Sequence, residues 1–221
     1  MTDRLILTLA LLGGTGNLGP GLALRWTKAG YRVIIGSRQA EKAQAVAEQL
    51  NTELGFPSIE GMENADALQN CDIGILTVNY SAHQEALESL KGEFKGRILV
   101  DATARVDFRD PRPPQAPSAG RIAKQILGDD ARVVAAFQTV PAHAMRKNLG
   151  GTLDIDVLVC GDDSDAVGQV VKLVDGAGMR GYHAGGLDNA IVVEGLTALI
   201  IAMNKRYQSK TGAIKVAGIQ R

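Results

Sequence analysis

An α/β fold on a doubly wound, mostly parallel sheet is what this 221-residue chain predicts. Three observations point there. Strand-like and helix-like stretches alternate from residue 5 to residue 136. The first apolar stretch runs straight into a glycine cluster that opens a helix-like stretch. The apolar runs are short and nearly continuous, as in strands covered on both faces rather than wetted on one.

Taken in order, residues 5–12 read as a buried strand, too short to span a bilayer. Residues 17–29 read as a helix with Leu18, Leu22 and Trp26 recurring on one face, residues 32–36 as a second strand and residues 39–54 as a polar helix. Residues 72–77 and 97–101 are two further short strands, separated by a helical stretch over 82–90, and a helix over 119–127 leads into a strand at 132–136. Beyond them come a strand at 154–160, a helix at 164–176, an edge strand at 181–184, a long apolar helix at 187–207 and a tail, 212–218, expected to lie on a partner. The expected division is a first domain over residues 1–150 and a smaller C-terminal lobe over 151–221 that closes on it and dimerises.

Composition narrows the function classes. The chain is 45% hydrophobic and 22% charged, which suits a packed core. A formal net charge of zero argues against a nucleic-acid or acidic-membrane partner. Cys71 and Cys160 form no CxxC pair and read as buried reduced thiols, in keeping with a cytoplasmic location. His83, His143 and His183 have no metal-ligand spacing, so no metal site is expected.

Gly14-Thr15-Gly16-Asn17-Leu18-Gly19 has the GxGxxG spacing, placed between a strand and a helix. In a Rossmann-type unit one such glycine makes the tight turn, one lets backbone approach a pyrophosphate, and one lets helix and strand close together. Amides at the helix N-terminus then face the phosphates. The second strand ends not in the acid that reads a ribose diol but in Gly36-Ser37-Arg38, with Lys42 one turn on. A hydroxyl and two cations suit a 2′-phosphate, so NADP(H) is expected over NAD(H). No nucleophile elbow and no obvious acid–base relay stands out, which suits a hydride passed directly between two cofactors.

The chain resembles the family of NADPH-dependent reductases of coenzyme F420, an 8-hydroxy-5-deazaflavin. The segments that carry the resemblance are Leu11-Leu12-Gly13-Gly14-Thr15-Gly16-Asn17-Leu18-Gly19, Gly36-Ser37-Arg38 with Lys42, Gly61-Met62, Leu76-Thr77-Val78, Val159-Cys160-Gly161-Asp162-Asp163, and Leu187-Asp188-Asn189-Ala190 followed by Glu194. It implies hydride transfer between NADP(H) and coenzyme F420 in a homodimer. It also implies that Thr15 to Leu18, within the Gly14 to Gly19 turn, line the pyrophosphate and that Ser37, Arg38 and Lys42 hold the 2′-phosphate. Thr77, Val78 and Asn79, with His83, would border the nicotinamide ribose. Gln138, Thr139, Val140, Pro141 and Ala142 would form the floor where the rings stack, and Gly61, Met62 and Asn189 would lie on the deazaflavin side. His83 on its own reads as a surface residue at a helix start. The chain departs from the family pattern at Asn79, Ala104-Arg105, Gln138 and Ile191. Two other readings stay open from the residues alone. One is an NADPH-dependent reductase of a flavin, an imine or a 2-oxo compound; the other is a non-catalytic NADP(H) sensor.

Overall fold

The computed structural model of the chain describes residues 6–220, so Leu5 of the expected first strand lies outside the described residues. Strands β1 (Thr8–Leu12), β2 (Arg32–Ser37), β3 (Ile59–Glu63), β4 (Ile73–Leu76), β5 (Ile98–Asp101), β6 (Arg132–Ala135), β7 (Asp156–Gly161) and β8 (Arg180–His183) form one 8-stranded sheet in the order β3-β2-β1-β4-β5-β6-β7-β8. Strands β1 to β6 are all parallel, β7 runs antiparallel to β6, and β8 runs parallel to β7. The order reverses between β1 and β4, which is where a doubly wound sheet offers a crevice at its carboxyl edge. The expected boundary at residue 150 falls between β6 and β7, and both sides of it contribute strands to this one sheet.

Helices α1 (Gly19–Lys28), α2 (Ala40–Leu54), α3 (Asn64–Gln69), α4 (His83–Leu90), α5 (Ala119–Leu127), α6 (Ser164–Gly176) and α7 (Ala190–Arg206) complete the fold. Side chains alternate across β1, so Leu9 and Leu11 join one core while Ala10 and Leu12 join the other. The first core gathers Trp26 of α1 and Leu173 of α6; the second gathers Phe94, Leu99 and Val193 of α7. Each wholly buried leucine of this kind contributes about 1.5–3 kcal/mol.

Two elements went unforeseen. Strand β3 and helix α3 occupy a stretch that carried no expected element, because β3 is the outermost strand and only Ile59 of its five residues is buried. An edge strand with one buried residue leaves almost no apolar pattern to read. The tail runs along its own β7, where Asp156 N donates to Ile214 O at 3.0 Å and Val216 N donates to Asp156 Oδ2 at 2.6 Å.

The span Leu187–Arg206 is long and apolar enough to cross a membrane. In this fold one face of it belongs to the core: Ala190, Val193, Glu194, Thr197 and Ala198 are buried along that face. Its other face keeps Val192, Leu199 and Met203 more than half exposed.

Candidate functional site

The carboxyl ends of β1, β2, β4, β5 and β6 meet along one edge of the sheet, and most of the sequence-predicted residues lie there. The glycines divide into two kinds. A Cβ on Gly14 would sit 2.5 Å from Leu11 O, one on Gly19 2.4 Å from Gly14 O, and one on Gly13, whose φ is +67°, 2.3 Å from Val78 Cγ1. These three are required by the chain's own packing. At Gly16 the nearest atoms, Gly13 O and Thr77 O, are 3.9 Å from such a Cβ, so the fold does not need a glycine there. The turn itself is pinned by Gly14 N donating to Gly36 O at 2.9 Å and by Gly13 N donating to Asn64 Oδ1 at 3.0 Å.

Helix α1 begins at Gly19 rather than at the expected residue 17. No side chain caps it and its first turn holds no acid, while Pro20 fills an early position that needs no N–H. Its first-turn amides and dipole therefore face the turn without a built-in anion. On the neighbouring strand end Ser37 is buried and its Oγ accepts from Gln39 N at 3.3 Å. Arg38 and Lys42 are exposed, and Arg38 Nη1 lies 3.7 Å from Glu85 Oε1. An exposed pair of that length contributes little and leaves the guanidinium available to an anion. The adjoining exit of β4 is tied to β1 by Thr77 N and Thr77 Oγ1, both donating to Leu12 O. Thr77 and Val78 are half-buried at this junction and Asn79 is exposed.

After β6, Phe137 adopts a φ of +74°, a conformation costly for an aromatic residue and held only where packing over-determines it. Trp26 of α1 supplies that packing, edge-on to the Phe137 ring at 5.8 Å. Gln138, Thr139 and Val140 follow, all buried, with Val140 N closing the turn on Phe137 O, and Pro141 and Ala142 lead into a short 3-10 turn at Ala142–Ala144. Arg25 of α1 holds the far end of this segment. Its buried guanidinium donates to Met145 O at 2.8 Å, Ala177 O at 2.9 Å, Gly151 O at 3.1 Å and Lys147 O. Burial lowers its pKa.

His83 corrects the expectation of a surface residue. Its side chain is wholly buried, with Nε2 2.7 Å from Oδ2 of Asp101, itself wholly buried at the end of β5. Asp101 Oδ1 accepts from Thr103 N at 3.0 Å, and Gln138 Nε2 donates to the Asp101 carbonyl at 3.0 Å. Close by, Glu194 of α7 is also wholly buried, its Oε2 accepting from Arg105 N at 3.0 Å and its Oε1 from Ala119 N at 2.7 Å. Burial pushes the Glu194 carboxyl up to about 7 and Asp101 adds to the shift, while the two amide bonds and the Arg105 charge oppose it. Among the described residues four buried side-chain atoms lack a hydrogen-bond partner; His83 Nδ1 and Gln138 Oε1 belong to residues that bond to Asp101, and Arg105 Nε to the residue whose N–H Glu194 accepts. Unpaired buried polar groups are rare enough that these three mark a polar centre. Sequence reasoning missed Asp101, Glu194 and Arg25; the available signals were an acid closing the apolar run Ile98–Asp101 and a lone acid inside an apolar helix.

Three other expected residues lie elsewhere or are engaged. Gly61 and Met62 sit in β3, opposite Ile35 and Gly36 of β2, on the outer side of the sheet and three strands from β4. A Cβ on Gly61 would come within 2.4 Å of the α2 backbone, so this glycine serves helix–strand packing. Asn189 ends a 3-10 turn before α7, and its Nδ2 donates to Ala184 O at 2.7 Å, which makes it a local staple. His143 and His183 are exposed. A concavity of about 530 Å³ beside Ile6, Leu7 and Tyr31 opens at the amino ends of the strands, away from all of these groups.

Residues 8–105 match the family described as NADP oxidoreductase, coenzyme F420-dependent. An F420-dependent NADP reductase of Methanocaldococcus jannaschii is 36% identical over 96% of this chain and 99% of its own length. The fold is shared with a protein of Arthrobacter sp. FB24, described provisionally as an F420-dependent NADP reductase: TM-score 0.79 and 24% identity, over 96% of this chain and 99% of that one. It is shared too with a Plasmodium falciparum pyrroline carboxylate reductase solved with NADP bound, at TM-score 0.60 and 11% identity over 91% of this chain and 64% of that one.

Proposed function

The chain belongs to the family of coenzyme F420-dependent NADP oxidoreductases, and on that premise we propose that it moves a hydride between NADP(H) and the deazaflavin coenzyme F420. The observation that carries the reading, beyond family membership, is the open surface at Gly16 between the uncapped start of α1 and the β4 exit. Gly14 to Gly19 line the pyrophosphate, with the α1 amides as donors. Ser37, Arg38 and Lys42 bind the 2′-phosphate, the arginine through a forked pair of bonds. Thr77, Val78 and Asn79 border the nicotinamide ribose, and His83, held by Asp101, stands behind them. Gln138 to Ala142 form a water-poor floor, with the Gln138 carbonyl oxygen free to accept an N–H from a ring edge. Bound there, NADPH supplies a hydride that the deazaflavin ring carbon accepts, and a solvent proton completes the reduction. The chain orients the two rings and excludes water, and needs no group to titrate for the hydride itself.

We propose further that residues 151–221 close the ring side through α7, and that the exposed apolar stripe of Val192, Leu199 and Met203 seats a second copy. A cytoplasmic location suits Cys71 and Cys160, both buried and pushed up to about 11 by burial. The test of function is visible absorbance: NADPH with enzyme bleaches the oxidised deazaflavin, NADH does so far more slowly, and FAD or an imine consumes little NADPH. No bleaching, with turnover on FAD or an imine, refutes it. Sedimentation of the purified chain as a monomer would refute the dimer.

A further inference from the structure

Residues 102–118 connect β5 to α5 and lean on the exit of β4. Thr103 Oγ1 donates to Val78 O at 3.4 Å, and the Arg105 guanidinium carbon lies 5.3 Å over the ring of Tyr80. Arg105 Nη1 also donates to Gln115 O at 2.8 Å and to Pro117 O, folding the loop back on itself. Helix α7 grips this loop at three points: Glu194 takes Arg105 N near its start and Ala119 N just past its end, and Lys205 Nζ donates to Arg109 O at 2.8 Å.

Glu194 is the sole acid in α7, and it is wholly buried. Packing alone would favour an apolar residue there, since a buried charge is costly. Two amides at opposite ends of one loop explain it: both carboxylate oxygens accept, whereas an amide or a protonated carboxyl has one good acceptor. The charged groups facing it are Asp101 on β5, whose other side is taken by His83 of α4, and Arg105 on the loop. Helix α5 presents the Ala119 N–H, and β7 brings Cys160 to the apolar core that α7 shares.

We propose that Glu194 is a positioning residue for the hydride-transfer site: ionised, it pins both ends of the 102–118 loop, and with them Arg105 against Tyr80; protonated, it releases one end. The inference rests on the function proposed above for where the loop acts, but not for whether the pin exists. The burial that lifts this carboxyl to about 7 places the release in the neutral range.

Two measurements test it on the full chain. In the first, amide hydrogen exchange, corrected for intrinsic pH dependence, follows the segments holding Arg105 and Ala119 without any substrate. Protection at pH 8 drops as pH falls to 6 in the wild type and is already low at both values in Glu194→Gln; equal protection in all four samples overturns the proposal. In the second, kcat/KM for the deazaflavin falls about fivefold from pH 8 to pH 6, the equivalent of one hydrogen bond, mainly through KM. In E194Q it stays at the lower value, and a variant that keeps the full step overturns the positioning role. Substrate and reaction also take up protons, so the wild-type step minus the E194Q step is the quantity read. Should E194Q fail to fold, the wild-type exchange series decides alone. Pinned amides in a protein inert toward deazaflavin would sink the function and leave the pin standing; activity with unpinned amides would do the reverse.

Discussion

His83 Nε2 and Asp101 Oδ2 lie 2.7 Å apart, with both side chains wholly screened from solvent. The pair joins the start of α4 to the end of β5 beneath the β4 exit, so its integrity bears on the fold as well as on the site. Asp101→Ala leaves an imidazole and the Thr103 N–H without their acceptor. Leaving buried polar groups unsatisfied is expected to cost about 1–3 kcal/mol, read as a lowered denaturation midpoint. Asp101→Asn, which still accepts from Thr103 N, should cost less. Equal losses would mean that the carboxylate is not what holds the pair.

The glycine turn separates cradle from scaffold. Gly16→Val should leave the melting temperature within a few degrees and remove measurable NADPH binding, because only a ligand occupies the space its side chain would enter. Gly14→Val should unfold the turn itself, since a Cβ there meets Leu11 O at 2.5 Å. Titration of nucleotide fluorescence alongside thermal melts distinguishes the two, and retained NADPH affinity in the Gly16 variant contradicts the cradle.

Arg38 is exposed and pairs only loosely with Glu85. Its replacement by Ala should weaken NADPH by about 1.5–3 kcal/mol, the worth of a charge-assisted bond, and leave NADH and stability nearly unchanged. Matching losses for both nucleotides would remove it from the 2′-phosphate site.

Glu194 predicts a pH dependence of stability with a definite sign. Its carboxyl titrates near 4.5 in the unfolded chain and about 7 in the folded one, so the folded chain holds the extra proton between those values. That contribution is complete below about pH 4.5 and is lost as pH rises through 7, to a total of about 3 kcal/mol. Wild-type stability should therefore fall from pH 5 to pH 8 relative to Glu194→Gln, which lacks the titrating group. Parallel melting curves of the two proteins at both pH values check this, and a difference that does not vary with pH contradicts it.

Local pattern carried much of the architecture. Helices α5 and α6 begin and end where their periodicity says, and Ser118 and Asp163 cap them with side-chain oxygens, a signal written within a few residues. The GxGxxG turn was legible because its constraints are local as well. Edge strand β3 was not, having little apolar surface to announce it. The polar centre was hidden for another reason: His83 and Asp101 are 18 residues apart, and Glu194 and Arg105 are 89 apart. Periodicity has no reach over such separations. Gly61 was named only through the family resemblance, and the close approach of the α2 backbone to it is likewise a contact that no local pattern announces.

Arg25 reaches from α1 to five backbone carbonyls in segments that follow β6 and α6. On the function proposed above, the phosphate seat before α1 and the segment that follows the ring floor are therefore tied to each other through one guanidinium. On that reading the spacing offered to a dinucleotide is set in part by the fold itself. A one-residue insertion between 145 and 151 would disturb this tie without altering any residue of the two seats.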